Sequence, residues 1–92
     1  MLDVRTFATT EDGHEVVLEF DSKLAFINRI RLLVDGALVD EERVWYGTKE
    51  LRTTLADGRE LELRVHSGMV GEPDRPQLKR ADGTWTDLSE RS

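Results

Sequence analysis

The chain has 92 residues, 13 of them basic and 19 acidic, for a formal charge of -6, and it contains no cysteine. That length predicts one domain over residues 1–92 with a thin core, burying about 60–65% of its unfolded surface. The composition excludes disulfides and thiolate metal sites, and the negative surface makes nucleic acid and anionic lipid poor partners.

Four Asp-Gly pairs punctuate the chain, at 12–13, 35–36, 57–58 and 82–83. Glycine reaches positive φ without steric penalty, and Asp hydrogen-bonds its local backbone, so each pair between alternating runs predicts a hairpin. In chain order the predicted strands are 3–9, 14–20, 28–34, 37–46, 49–55, 59–66, 76–80 and 84–88. The fold class is therefore all-β, an antiparallel β-sandwich or partly closed barrel of seven to eight short strands.

Around the first turn, Val4, Thr6 and Ala8 match Val16, Leu18 and Phe20 if Glu11-Asp12-Gly13 is a three-residue loop. The stretch "DSKLAFINR" (21–29) does not alternate, and is a crossover strand, a helical turn or a plug over one end. The second turn allows two registers. A two-residue loop sets Arg31 and Arg29 against Asp40 and Glu42; a longer one brings Arg29 to Glu41.

Beyond it, "VWYG" (44–47) places Trp45 and Tyr46 on opposite faces of a strand, so only one can enter a shared core. At the third turn Leu51, Thr53, Leu55, Leu61, Leu63 and Val65 are all odd-numbered. That parity demands a three-residue loop, Ala56-Asp57-Gly58, with Gly58 left-handed in a G1 bulge. "SGMVGEPDRP" (67–76) reads as a long irregular loop. In the last hairpin, weakened by Pro76, Trp85 falls opposite Lys79, where a cation–π contact could cover it. "SERS" at 89–92 reads as the start of a polar linker, as in a domain cut from a longer protein.

With the turns placed, the chain resembles the Fas apoptotic inhibitory molecule family. The resemblance is carried by "EDGHEVVLEF", by "RLLVDGALVDEERVW" with its Val-Asp-Gly turn before a charged strand ending in Trp, and by "QLKRADGTW". It spans mainly residues 11–46 and 77–85; the stretch from Tyr46 to Pro76 matches poorly. It implies a compact antiparallel β-sandwich without catalytic residues, acting through protein contacts. The family works in death-receptor and survival signalling in animals. The arginine-rich, cysteine-free composition here points to a bacterial protein, so that pathway is not carried over.

Searched for chemistry, the residues offer isolated candidates. "DGHE" brings Asp12, His14 and Glu15 close in sequence, but no second histidine follows at a metal-binding interval. His66 ends a different strand. Glu60 and Glu62 share a strand face, as an acid–base pair would and as any polar outer face does. Asp40, Glu41 and Glu42 lack the glycine-punctuated spacing of a calcium loop.

The expectation is a non-enzymatic protein-interaction module with no cofactor and no metal. Its patch is Trp45, Tyr46, Arg43 and Trp85, its partner another protein, and the chain itself a monomer or weak dimer. The alternative is a small-ligand-binding barrel or minor enzyme. Without cysteine, signal-peptide features or an apolar run of membrane-spanning length, a cytoplasmic location is expected.

Overall fold

The computed structural model describes residues 4–24, 27–44, 47–55, 58–67 and 73–91. Nine strands are formed: β1 (Val4–Glu11), β2 (His14–Leu24), β3 (Ile27–Val34), β4 (Ala37–Val44), β5 (Gly47–Thr54), β6 (Glu60–Ser67), β7 (Pro73–Lys79), β8 (Trp85–Asp87) and β9 (Ser89–Arg91). They make a five-stranded sheet in the order β4-β3-β2-β1-β9 and a four-stranded sheet in the order β5-β6-β7-β8, all antiparallel. The two sheets form a sandwich, not a closed barrel. Among the described residues no helix is long and apolar enough to cross a membrane.

The first hairpin corrects the expected register. Glu11 pairs with His14, so Asp12-Gly13 alone reverses the chain, with both residues at positive φ (50° and 76°). Such primed turns match the right-handed twist of the flanking strands. Odd-numbered Phe7 consequently faces Leu18, and Val4, Thr6 and Ala8 point away from the core. The phenyl ring decides the parity: burying it contributes roughly 2–3 kcal/mol, more than Val4 and Ala8 can offer together with a stranded Phe7. Phe7 meets Phe20 edge-on, centroids 5.6 Å apart, while Val4 stays 50% exposed.

Of residues 21–29, those described, 21–24 and 27–29, belong to strands, and 25–26 lie outside the described residues. β2 runs on through an irregularity between Asp21 and Leu24, and β3 starts at Ile27. The second hairpin starts in the two-residue register and then leaves both expected ones. Val34 faces Ala37 and Leu33 faces Leu38 across a two-residue turn; a bulge then sets Leu32 against Asp40 and Arg31 against Glu41. Arg29 falls opposite Arg43 rather than an acid, yet Glu41 Oε1 lies 3.5 Å from Arg29 Nε and 3.3 Å from Arg31 Nε. The bulge also turns Glu42 toward the sandwich edge, where it meets Lys49 of β5 at 3.6 Å. An inward charge of this kind keeps an edge strand from pairing with other chains.

The third and fourth turns follow the odd-with-odd rule. Leu55 N donates to Arg59 O (2.7 Å) and Gly58 N to Leu55 O (2.9 Å), bracketing a three-residue reversal; Arg80, Gly83 and Thr84 repeat both bonds. Gly58 and Gly83 share φ 88°. Ala56 and Asp57 lie outside the described residues.

Two expected irregular stretches are strands. Residues 73–76 of the expected loop belong to β7, and 68–72 lie outside the described residues. Pro76, which cannot donate to a ladder, sits where the β6–β7 register shifts, as proline in a sheet requires. Ser89–Arg91, expected as linker, crosses to the other sheet as β9 and pairs with Thr6–Ala8 of β1. Leu88 is the pivot: its side chain is buried and its N–H donates to Pro76 O at 2.9 Å. Arg5 then clamps Glu90 through two bonds of 2.7 and 2.6 Å.

The core between the sheets is Phe7, Val16, Leu18, Phe20, Ile30, Leu32 and Val34 against Leu51, Leu55, Leu61, Leu63, Val65 and Leu78, with Leu88 closing one end. Alternation leaves each sheet one face turned outward.

Candidate functional site

Of the four expected patch residues, Trp45 and Tyr46 fall between β4 and β5, outside the described residues. Arg43 is exposed on the outward face of the five-stranded sheet, paired with Arg29. Trp85 opens β8 on the outward face of the four-stranded sheet, paired with Lys79. Arg43 and Trp85 therefore look out from opposite sides of the sandwich and do not share a patch.

Trp85 does carry a cation on its ring, but not the expected one. The Arg64 guanidinium carbon lies 4.1 Å from the indole centroid. Lys79, although directly opposite Trp85, points its Nζ toward Glu62 Oε2 at 3.8 Å. Arg64 reaches the ring from β6, one strand further away, because a row of hydrogen bonds orients it. Its Nε donates to Gln77 Oε1 (2.9 Å), and Gln77 Nε2 donates to Asp87 Oδ1 (2.7 Å). Arg64, Gln77 and Asp87 are cross-strand partners on β6, β7 and β8. An arginine guanidinium over a tryptophan ring gains about 0.5–1 kcal/mol at an exposed site. The result is a half-buried indole pinned in one orientation.

Sequence reasoning missed Arg64, Gln77 and Asp87. Parity alone places Arg64 on the outward face with Glu60 and Glu62. The β6–β7 register that brings it to Gln77 is hidden by the shift near Pro76.

Glu62, Asp40 and Glu11 are occupied structurally. Glu62 lies between Arg52 (3.5 Å) and Lys79, in a groove of about 450 Å³ also lined by Arg59, Glu60, Arg80 and Ala81. Asp40 Oδ1 accepts the N–H of Glu41 at 2.8 Å. Arg59, from the third turn, meets Glu11 Oε1 at 3.2 Å and also Asp12, tying one sheet's turn to the other's.

The His14 side chain is 29% exposed and engaged. Its Nδ1 lies 2.7 Å from Asp35 Oδ2, and Asp35 Oδ1 accepts the N–H of Glu15 at 2.9 Å. Those two bonds, the histidine's first, hold the Asp35 carboxyl below its ordinary value. His66 Nδ1 lies 3.2 Å from Thr48 Oγ1. Among the described residues no three His, Asp or Glu side chains gather where a metal ion could sit.

Comparison of the chain with protein-family models, curated proteins and solved structures found no match.

Proposed function

We propose that the protein is a non-catalytic interaction module that presents Trp85, backed by Arg64, to a protein partner, in the cytoplasm. The observation that carries this reading is the 4.1 Å stack of a half-buried indole under a guanidinium fixed from behind. Tryptophan and arginine dominate the energetics of protein interfaces, and a side chain already held in its bound orientation loses little entropy on docking. The ion pairs Arg52–Glu62 and Lys79–Glu62 flank the platform as a polar rim. The resemblance to the Fas apoptotic inhibitory molecule family supports the same class of activity, a β-sandwich working through protein contacts.

The test compares quantitative capture of proteins from native cell extract by the natural chain, Trp85→Ala and Trp45→Ala. Trp85→Ala is expected to lose at least one captured protein while its melting temperature moves by only a few degrees. Capture unchanged by Trp85→Ala overturns the assignment of the patch. A thermal-shift screen addresses the ligand-binding alternative: stabilisation by several degrees with one metabolite favours that reading.

A further inference from the structure

The outward face of the five-stranded sheet carries a feature that the core does not explain. Leu38, Leu33, Val17 and Ala8 stand in one straight row across β4, β3, β2 and β1, each paired with the next. All four lie outside the sandwich core cluster; Leu38 at the edge is 55% exposed, Leu33 and Ala8 are half-buried, and Val17, at 8%, is covered by its neighbours on the sheet. Beside this row, Glu19 of β2 pairs with Arg31 of β3. Arg31 gives its Nε to Glu41 at 3.3 Å. Among the described residues Glu19 takes no hydrogen bond and no ion pair. A half-buried carboxylate beside an apolar row is thus left for something outside the chain.

We infer that this face binds a second copy of the chain. The charges select the arrangement. Consider a two-fold axis parallel to the strands, between β2 and β3, in the plane where two such faces meet. It lays β2 of one copy over β3 of the other, so the apolar row covers its counterpart, Val17 on Leu33 and Ala8 on Leu38. The same rotation sets Glu19 over Arg31 and Arg31 over Glu19, four charges alternating around the axis. An isologous contact requires such self-complementarity, and opposite charges placed across an interface fix its register. A two-fold axis along the apolar row would instead bring Glu19 against the Glu15–Arg91 ion pair of the second copy, already closed at 2.7 Å.

The face is small. Four strands about 4.8 Å apart and three side-chain rows about 6.8 Å apart give a footprint of roughly 400 Å² per copy. Stable complexes use roughly 800 Å² per partner, and the net charge of -6 adds mutual repulsion. The dimer is therefore weak, with a dissociation constant on the order of 10⁻⁴ M.

Sedimentation equilibrium of the natural chain, Glu19→Arg, Arg31→Glu and an equimolar mixture of the two variants tests the inference. Loadings run from about 50 μM to about 1 mM in moderate salt, where the Debye length is about 8 Å. The apparent mass of the natural chain is expected to climb with concentration. Each single reversal puts four like charges around the axis and is expected to stay monomeric. The mixture sets two cations of one chain against two anions of the other and is expected to associate at least as well as the natural chain. A folding defect cannot produce that recovery, and both variants keep a net negative charge, so the attraction must be local. Should a reversal fail to fold, Leu38→Glu replaces it, acting at an exposed edge position, and is expected to be monomeric. A natural chain that is monomeric at the highest loading overturns the inference. So does association that the single reversals leave intact, or folded reversals that fail to associate when mixed. Trp85 lies on the other sheet, so partner capture through it is unaffected by either result.

Discussion

Across the five-stranded sheet the outward residues run Leu38, Leu33, Val17, Ala8; across the four-stranded sheet they run Arg52, Glu62, Lys79, Trp85. Both faces rest on the same core and the same hairpin logic, so the core does not dictate the difference. On the four-stranded sheet Glu62 lies between two cations and Arg64 is locked into a row with Gln77 and Asp87, leaving one indole as the open apolar element. On the five-stranded sheet an apolar row, exposed at Leu38 and half-buried at Leu33 and Ala8, lies beside a carboxylate that nothing in the described chain takes up. A small sandwich has two outward faces to use, and here the four-stranded one presents a single indole set by its own charges, while the five-stranded one carries an apolar row beside Glu19.

The largest effect tests whether the faces stand on one support. Leu18→Ala and Leu63→Ala, one from each sheet and both fully buried, should each destabilise by about 2–5 kcal/mol. Urea denaturation should show a single transition for both. A variant in which one sheet's signals melt before the other's breaks the shared-core premise. Next come the turns. Gly36→Ala and Gly58→Ala both put a Cβ at positive φ, with open space around it, so backbone strain alone should cost roughly 1–2 kcal/mol in each sheet. A clearly larger loss in one would show an unsuspected contact there.

Smaller effects sharpen the contrast between the faces. Arg64→Ala should lose about 0.5–1 kcal/mol and shift Trp85 fluorescence to the red as the ring loses its cover. Glu19→Gln should leave the monomer's stability within about 0.5 kcal/mol, because among the described residues Glu19 has no hydrogen bond or ion pair to lose. The smallest effect is acidic. Asp35 and Glu90 are held below their ordinary values of 3.8 and 4.5, by the bonds from His14 and Arg5 respectively. A depressed carboxyl stabilises the fold above its unfolded value and loses that contribution as pH falls through the folded one. Melting temperature should therefore drop as pH falls from about 4.5 through lower values. Asp35→Asn and Glu90→Gln should each flatten that drop. Hydrogen exchange should report β9 loosening early in Glu90→Gln.

How much of this was legible follows from parity. Leu51, Leu61, Leu63 and Val65 are all odd, so one loop length alone could join their strands, and the third turn was readable to its glycine. β1 mixes Val4 and Ala8 on one parity with Phe7 on the other, and a pattern that counts apolar residues without weighing them chooses the wrong face. Residues 21–29 have no alternation to read, and the bulge opposite Leu32 and Leu33 changes the register midway through a strand. β9 is polar throughout because all three residues are exposed; only Leu88, inconspicuous in the sequence, marks the crossing to the other sheet. The Arg64–Trp85 stack was invisible for a related reason: it depends on side chains two strands apart and on a shifted register at Pro76. Trp85 was singled out from its residue type, and its partner emerged only from the fold.

The central claim is that the two outward faces divide self-recognition from partner recognition. The most direct measurement is a set of amide ¹H–¹⁵N NMR spectra of the natural chain as its concentration is raised to about 1 mM, well above a dissociation constant on the order of 10⁻⁴ M. Shifts should appear at Ala8, Val17, Glu19, Arg31, Leu33 and Leu38, with Arg64, Gln77, Trp85 and Asp87 unmoved. Shifts centred on the four-stranded sheet, or none anywhere in that range, would contradict it.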